Sequence, residues 1–439
     1  MINYKEAPIQ RSFIGEHIFD TEDTFKILMN PVQTDFDELK ECIDNLINDQ
    51  NNSNWYCIYD LLSQGLWEIL SAEQYLIILN LIVKHLEEKQ KNLSLFCIKT
   101  LEILLKKRCS YIEEIGIDCL NQIIKLLTNI LLSISCLNII DCIIIIISIL
   151  VFYMNDEMNL QLFDFFIMYY SKAILINSFP LSNLIFLFSE LVKNSSCLDE
   201  NHCLQYIHLS QNFLLVKCWN VQYEALRVIF EMIKKYQYSI YLINNSLLIY
   251  NYIKNNLDFD ICENYFLIIS KLCDILQYLI NNNFLVNKFL NIGFFNKLIS
   301  LISKDKDLDI SIIKLFTILL KISQDFADYL YKTLDYKAFE YYFSNSYQEK
   351  NLMLTFIFSF LKKLPLNTIQ NIGEFCENLC IDVLDSYDME MINISLELII
   401  YLINNNYNFS KEINFNELLE IENNEIHEKL NYLFKIFNS

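Results

Sequence analysis

The chain has 439 residues, 53% of them hydrophobic, with only five Gly and four Pro. So few turn formers exclude a sheet-based fold, which needs a turn every few residues, and leave an all-helical chain. Its 54 acidic and 34 basic residues give a formal charge of −20, a field that repels phosphate backbones and anionic lipid. That sign suits a basic protein partner, or it does no more than keep an apolar surface in solution.

Residues 1–34, opening MINYKEAPIQRSF, are too polar for a signal peptide and read as a short N-terminal segment. From 35 to 439 the chain reads as one array of helical repeats. FDELKECIDNLI (36–47) predicts the first long helix, with Leu39, Ile43 and Leu46 on one face. WYCIYDLL leads to Gly65, and EQYLIILNLIVKHL (73–86) follows as an inner helix. LFCIKTLEILLKK, IIDCIIIIISILVF, LSNLIFLFSELVKN, VQYEALRVIFEMIKK, CENYFLIISKLCDIL and DISIIKLFTILLKIS continue the series of inner helices. KDKDLD (304–309) and INNNF (280–284) are polar connectors.

The most apolar run, residues 139–154, holds Asp141 and falls short of the roughly 20 residues a bilayer span needs. A helix apolar all round belongs in the core of a larger protein. No membrane partner is expected.

Fourteen Cys are scattered without a CxxC pair, mostly at apolar helical positions such as Cys97, Cys119, Cys142 and Cys273, as reduced buried thiols are. CLDENHCLQYIH brings Cys197, His202, Cys203 and His208 close in sequence, but the spacing fits no zinc module. No metal and no cofactor are expected. There is no phosphate-cradling glycine loop, no GxSxG, no HExxH and no Walker-type Lys, and the five His lie far apart. No catalytic residue is assigned, and the chain reads as a non-enzyme.

Glycine supplies the punctuation. Gly65, Gly116, Gly293 and Gly373 fall near multiples of ~44 residues, each between a short apolar stretch and a longer helical one. Such a period predicts a right-handed α-solenoid of about ten armadillo/HEAT-like helical repeats. One unit cannot cover its own apolar face, so units must stack.

Two places carry a family likeness. VQYEALRVI resembles the inner helix of a middle armadillo repeat of importin alpha, through Val221, Gln222, Ala225, Leu226 and Arg227. LLEIENNEIHEKLNYLFKIF (418–437) is similar to that family's last repeat, through Glu422, Asn423, Glu425, Ile426, Lys429 and Phe437. The order and number of units, and the first helix running into the Ser-Gln-Gly turn at Gly65, fit as well.

The resemblance implies a nuclear import adaptor of cytoplasm and nucleus, whose concave groove takes a basic, extended nuclear localisation signal. In the family each inner helix offers a Trp and, four residues on, an Asn. Asn bonds the peptide main chain, Trp rings wall the lysine stems, and acidic groups at the edge select positive charge. The groove residues this implies here are Asn80, Arg227, Glu231, Phe266 and Ser270.

The sequence departs from that pattern. Leu76 stands where a Trp should precede Asn80, Glu231 and Ser270 replace Asn, Phe266 keeps only an aromatic, and Lys99 and Ile103 hold both places of another repeat. None of Trp55, Trp67 and Trp219 falls at a Trp–Asn position. Residues 1–34 contain only Lys5, Arg11 and Lys26, so the family's basic segment for importin beta has no counterpart.

Two functions stay open: an adaptor for a basic cargo peptide, or a divergent scaffold for other protein partners. A continuous acidic groove favours the first, a mixed or apolar one the second. Arg227 and Glu231, four apart, belong either to the groove or to an ordinary solvated helix face.

Overall fold

The computed structural model describes residues 33–437 apart from 89–93, 108–110, 113–114, 174–179, 197, 257–262, 282, 335–346, 365–368, 385–387, 410–414 and 422. The predicted N-terminal segment therefore lies outside the described residues except for its last two positions. Among the described residues there are helices and no strand. The chain divides after Met154 into two compact units.

Unit 1 contains α1 (Gln33–Asn48), α2 (Asn52–Ser63), α3 (Ala72–Glu88), α4 (Leu95–Lys107), α5 (Ile117–Ser133) and α6 (Leu137–Leu150). Helices α2, α4 and α6 pack side by side in chain order, while α3 packs against α4 and α5. The first row is a ladder, its members starting at residues 52, 95 and 137. The apolar run at 139–154 becomes α6 and a short 3-10 turn, with Ile140, Ile143, Ile144, Ile146 and Ile147 fully buried. No helix among the described residues is long and apolar enough to cross a membrane.

Unit 2 runs through α7 (Asp156–Ala173), α8 (Leu181–Asn194), α9 (Glu200–Leu215), α10 (Trp219–Lys235), α11 (Gln237–Ser246), α12 (Leu248–Asn255) and α13 (Glu263–Leu279). It continues with α14 (Asn283–Asn291), α15 (Phe294–Leu301), α16 (Lys306–Ile322), α17 (Gln324–Thr333), α18 (Tyr347–Leu361), α19 (Ile369–Leu384), α20 (Met389–Asn404) and α21 (Asn424–Phe437). Here α8, α10, α13, α16, α18 and α20 form the ladder, each packed on the next, and α21 closes it against α20. They start at 181, 219, 263, 306, 347 and 389, a recurrence of ~38–44 residues, which is the armadillo-like period.

The local chemistry explains where helices begin. Asn51, Asp199, Asp305, Ser323 and Asp388 each accept a first-turn backbone N–H at the start of α2, α9, α16, α17 and α20. The far ends are closed by the neighbouring repeat. Lys235 donates to the carbonyls of Lys193 (2.9 Å) and Val192 (3.2 Å), and the Tyr236 hydroxyl to Ser195 (2.7 Å), at the C-terminus of α8. Gln324 donates to the Lys363 carbonyl (2.8 Å) and Tyr401 to that of Leu361 (2.9 Å), doing the same for α18. Orphan carbonyls at a helix end need such donors.

The glycine period is only partly a period of turns. Gly293, at φ +77°, turns α14 into α15, a backbone that L side chains rarely adopt. The matching bend between α11 and α12 is made by Leu247, at φ +51°. Gly373 is not a turn: it lies inside α19, where an added Cβ would sit 1.8 Å from the Tyr407 ring.

One assignment of the inner row changes. Residues 73–86 belong to α3, outside the ladder, and the ladder helix of that repeat pair is α2, read from sequence only as the approach to Gly65. Both helices bury one apolar face, so periodicity alone does not separate them.

Candidate functional site: the open face of the ladder

A ladder helix has neighbours on both sides and other helices behind it, so one stripe of each stays open. In unit 2 the stripe recurs at three- and four-residue steps. It includes Phe186, Glu190 and Lys193 on α8, then Arg227, Phe230, Glu231 and Lys234 on α10. On α13 it holds Ser270, Lys271, Asp274 and Tyr278, and on α16 Lys314, Ile318 and Lys321. Asn351, Thr355, Phe358 and Lys362 follow on α18.

The stripe is mixed in charge, and its aromatic rings are already occupied. The Arg227 guanidinium lies 4.7 Å from the Phe186 ring, Lys271 4.4 Å and Lys234 5.2 Å from Phe230, and Lys362 3.7 Å from Phe358. The faces that could receive a partner's lysine carry the chain's own cations.

Arg227 is the most engaged of these. It donates to Glu190 of α8 at 2.6 Å and lies 3.3 Å from Glu224. Burial pulls the guanidinium down most, but Glu224 and Glu190 together hold it above its ordinary value. Glu224 goes the other way: burial pushes its carboxyl up by more than Arg227 lowers it, with Glu190 adding repulsion. Arg227 has two carboxylates to offset its desolvation, whereas Glu224 shares Arg227 with Glu190 and gains a smaller contribution from Lys271. Farther along, Lys271 meets Asp274 at 3.0 Å, and the Ser270 and Ser311 hydroxyls join α13 to α16 at 2.8 Å.

The residues singled out from sequence are thus placed as follows. Arg227 and Glu231 stand on α10, and Phe266 and Ser270 on α13, all on ladder helices of unit 2. Arg227 and Ser270 direct their polar atoms into the stack. Glu231 is half-buried and has no hydrogen-bond or ion-pair partner among the described residues. Asn80 is exposed on α3 of unit 1, off the ladder.

Other motif residues prove structural. Gln222 donates to the Val216 carbonyl (2.9 Å) beyond α9 and accepts from Tyr252 (3.0 Å). Asn423 caps α21, and Lys429 bonds Glu397 (2.8 Å), Glu425 (2.9 Å) and Asn393 to fasten α21 to α20. In the Cys/His stretch, Cys203 is buried and the His202 ring pairs with Asp199 at 2.6 Å, while Cys197 lies outside the described residues. No group of three or more metal-ligating side chains converges among the described residues.

The basic stripe on α16 and α18 was missed in the sequence. Its only signal was Lys314 and Lys321, seven apart on one helix, with Lys362 at the end of another, which says nothing about which face neighbours leave open.

No family model matches the chain, and no curated protein matches it. Among solved structures it is similar to an engineered protein from the Northeast Structural Genomics Consortium, at TM-score 0.62 and 11% identity over 92% of this chain and 99% of that one. A designed armadillo repeat protein in complex with the peptide (KR)4 is matched at TM-score 0.34 and 12% identity, over 64% of this chain and 98% of that one. A computationally designed armadillo repeat protein for modular peptide recognition is matched at TM-score 0.34 and 12% identity, over 65% and 98%. The first likeness, over nearly the whole chain, concerns the fold alone: an all-α array of stacked helices.

Proposed function

We propose that the protein is a non-catalytic interaction scaffold that holds an extended segment of another protein along the ladder face of unit 2. The observation that carries this reading is the open stripe repeated on successive ladder helices. Packed helices lie ~10 Å apart and an extended chain advances ~3.4 Å per residue, so about three residues of a bound segment match each rung.

The narrower reading, an importin-alpha-like adaptor for a basic nuclear localisation signal acting between cytoplasm and nucleus, is supported by Glu231, which makes no hydrogen bond or ion pair among the described residues, and by the likeness of the last repeat. The mixed stripe and the self-occupied rings weigh toward the scaffold, and Asn423 and Lys429 have a structural duty that accounts for the likeness without transport.

A random peptide-display selection on the intact chain tests the proposal. Enriched peptides should lose binding to a Thr355→Trp variant, which blocks the stripe, and keep it with Leu215→Asp on α9, away from the ladder. Peptides insensitive to Thr355→Trp, or no enrichment at all, contradict it.

A further inference from the structure

On the rungs α16 and α18 the charge of the ladder face runs against that of the chain. In a molecule of charge −20, Lys314 and Lys321 on α16 and Lys362 after α18 are exposed and have no ion-pair partner among the described residues. Lys234 on α10 is in the same condition. At the N-terminal ends of these two rungs the acids are engaged, Asp307 apart. Glu349 is buried against Lys306 at 2.8 Å, Asp309 is buried and accepts from the Ser303 backbone at 3.0 Å, and Asp305 caps α16. On the stripe of these two rungs, Asp307 in the first turn of α16 is the acid left exposed.

Attraction to the helix macrodipole explains lysines at a C-terminal end; Lys321 lies in the last turn of α16 and Lys362 directly follows α18. It does not explain Lys314, in the middle of α16. Nor does it explain why, among the described residues, no carboxylate pairs with these lysines in a chain with 54 acidic residues. The Phe358 ring under Lys362 holds that ammonium against the face while leaving its charge toward solvent.

We propose that the rungs α16 and α18 receive an acidic, extended segment of a partner protein, its carboxylates meeting Lys314, Lys321 and Lys362. This rests on the scaffold reading and supplies the partner's chemistry. A long polyanion such as nucleic acid would meet the repulsion of the whole acidic molecule, whereas a short acidic peptide feels mainly the local field within ~10 Å. A segment of about 12 residues spans four rungs.

The test is fluorescence anisotropy on the intact chain with three labelled peptides of that length: one of alternating Glu and Gly, one of Lys and Gly, one of Ser and Gly. A Lys314→Glu, Lys321→Glu, Lys362→Glu variant is run beside a triple Gln variant, with circular dichroism confirming the helical fold of each. The Glu peptide should bind, weaken as salt rises, lose about tenfold or more with the triple Glu variant and less with the triple Gln variant. Preferential binding of the Lys peptide, blocked by Thr355→Trp, overturns the acidic partner while leaving the scaffold standing. Binding of the Glu peptide that neither triple variant changes overturns this site. Failure of all three peptides overturns the inference, and the scaffold falls with it only if display selection also yields nothing.

Discussion

Gly373 and Glu224 show what single residues do here. Replacing Gly by Ala within a helix ordinarily stabilises by about 0.5–1 kcal/mol. At Gly373 the new methyl would overlap Tyr407, whose hydroxyl donates to Glu377 at 3.1 Å, so the ring must swing away. Gly373→Ala is expected to cost a net ~1–2 kcal/mol in urea unfolding, and an unchanged midpoint would contradict the close approach. For Glu224 the folded-state carboxyl is raised, so ionising it costs stability above that raised value, and the cost vanishes below the ordinary carboxylate range. Glu224→Gln should therefore raise the thermal midpoint slightly at neutral pH and not at acidic pH. A clear loss at neutral pH would show that Arg227 depends on Glu224 rather than on Glu190. At this scale the sequence was a partial guide: it marked Gln222, Arg227, Asn423 and Lys429, but Asn423 is spent capping α21 and the other three inside the stack, where partners some 30–40 residues away are not readable from local spacing.

Elements were more legible than their neighbours. The 3.6-residue period located α4, α8, α10, α13 and α16 because each buries one broad apolar stripe. It misassigned α3, since periodicity reports which residues are covered and not what covers them. The repeat junctions were undercounted for a related reason. The bend before α15 uses Gly293, but the one before α12 uses Leu247, and a leucine sends no turn signal. Holding Leu247 at φ +51° costs about 1–2 kcal/mol relative to glycine, partly recovered by its stiffer unfolded chain. Leu247→Gly should leave stability unchanged or raise it by up to ~1 kcal/mol in denaturant titration. A loss above that size would mean the Leu247 side chain matters more than its backbone.

Over the whole molecule, composition set the class and the period set the architecture of each unit, but neither reached the polarity of the open face. The formal charge of −20 averages over every surface, and only the packing shows that the ladder stripe of α16 and α18 keeps lysines while its carboxylates, Asp307 apart, are buried, paired or capping. So large a net charge also acts on stability. Self-repulsion is screened as the Debye length falls from ~10 Å at 0.1 M salt to ~3 Å at 1 M. The thermal midpoint should rise with sodium chloride over that range; a fall would mean that specific ion pairs, such as those of Lys429 and Arg227, outweigh the repulsion.

The most direct test of the account is the structure of the intact chain bound to a peptide selected on it. The account predicts an extended peptide crossing α10, α13, α16 and α18 on the side of Arg227, Lys314, Thr355 and Lys362. A peptide seated on α9, α11 or α17, or bound as a helix away from the ladder, would contradict it.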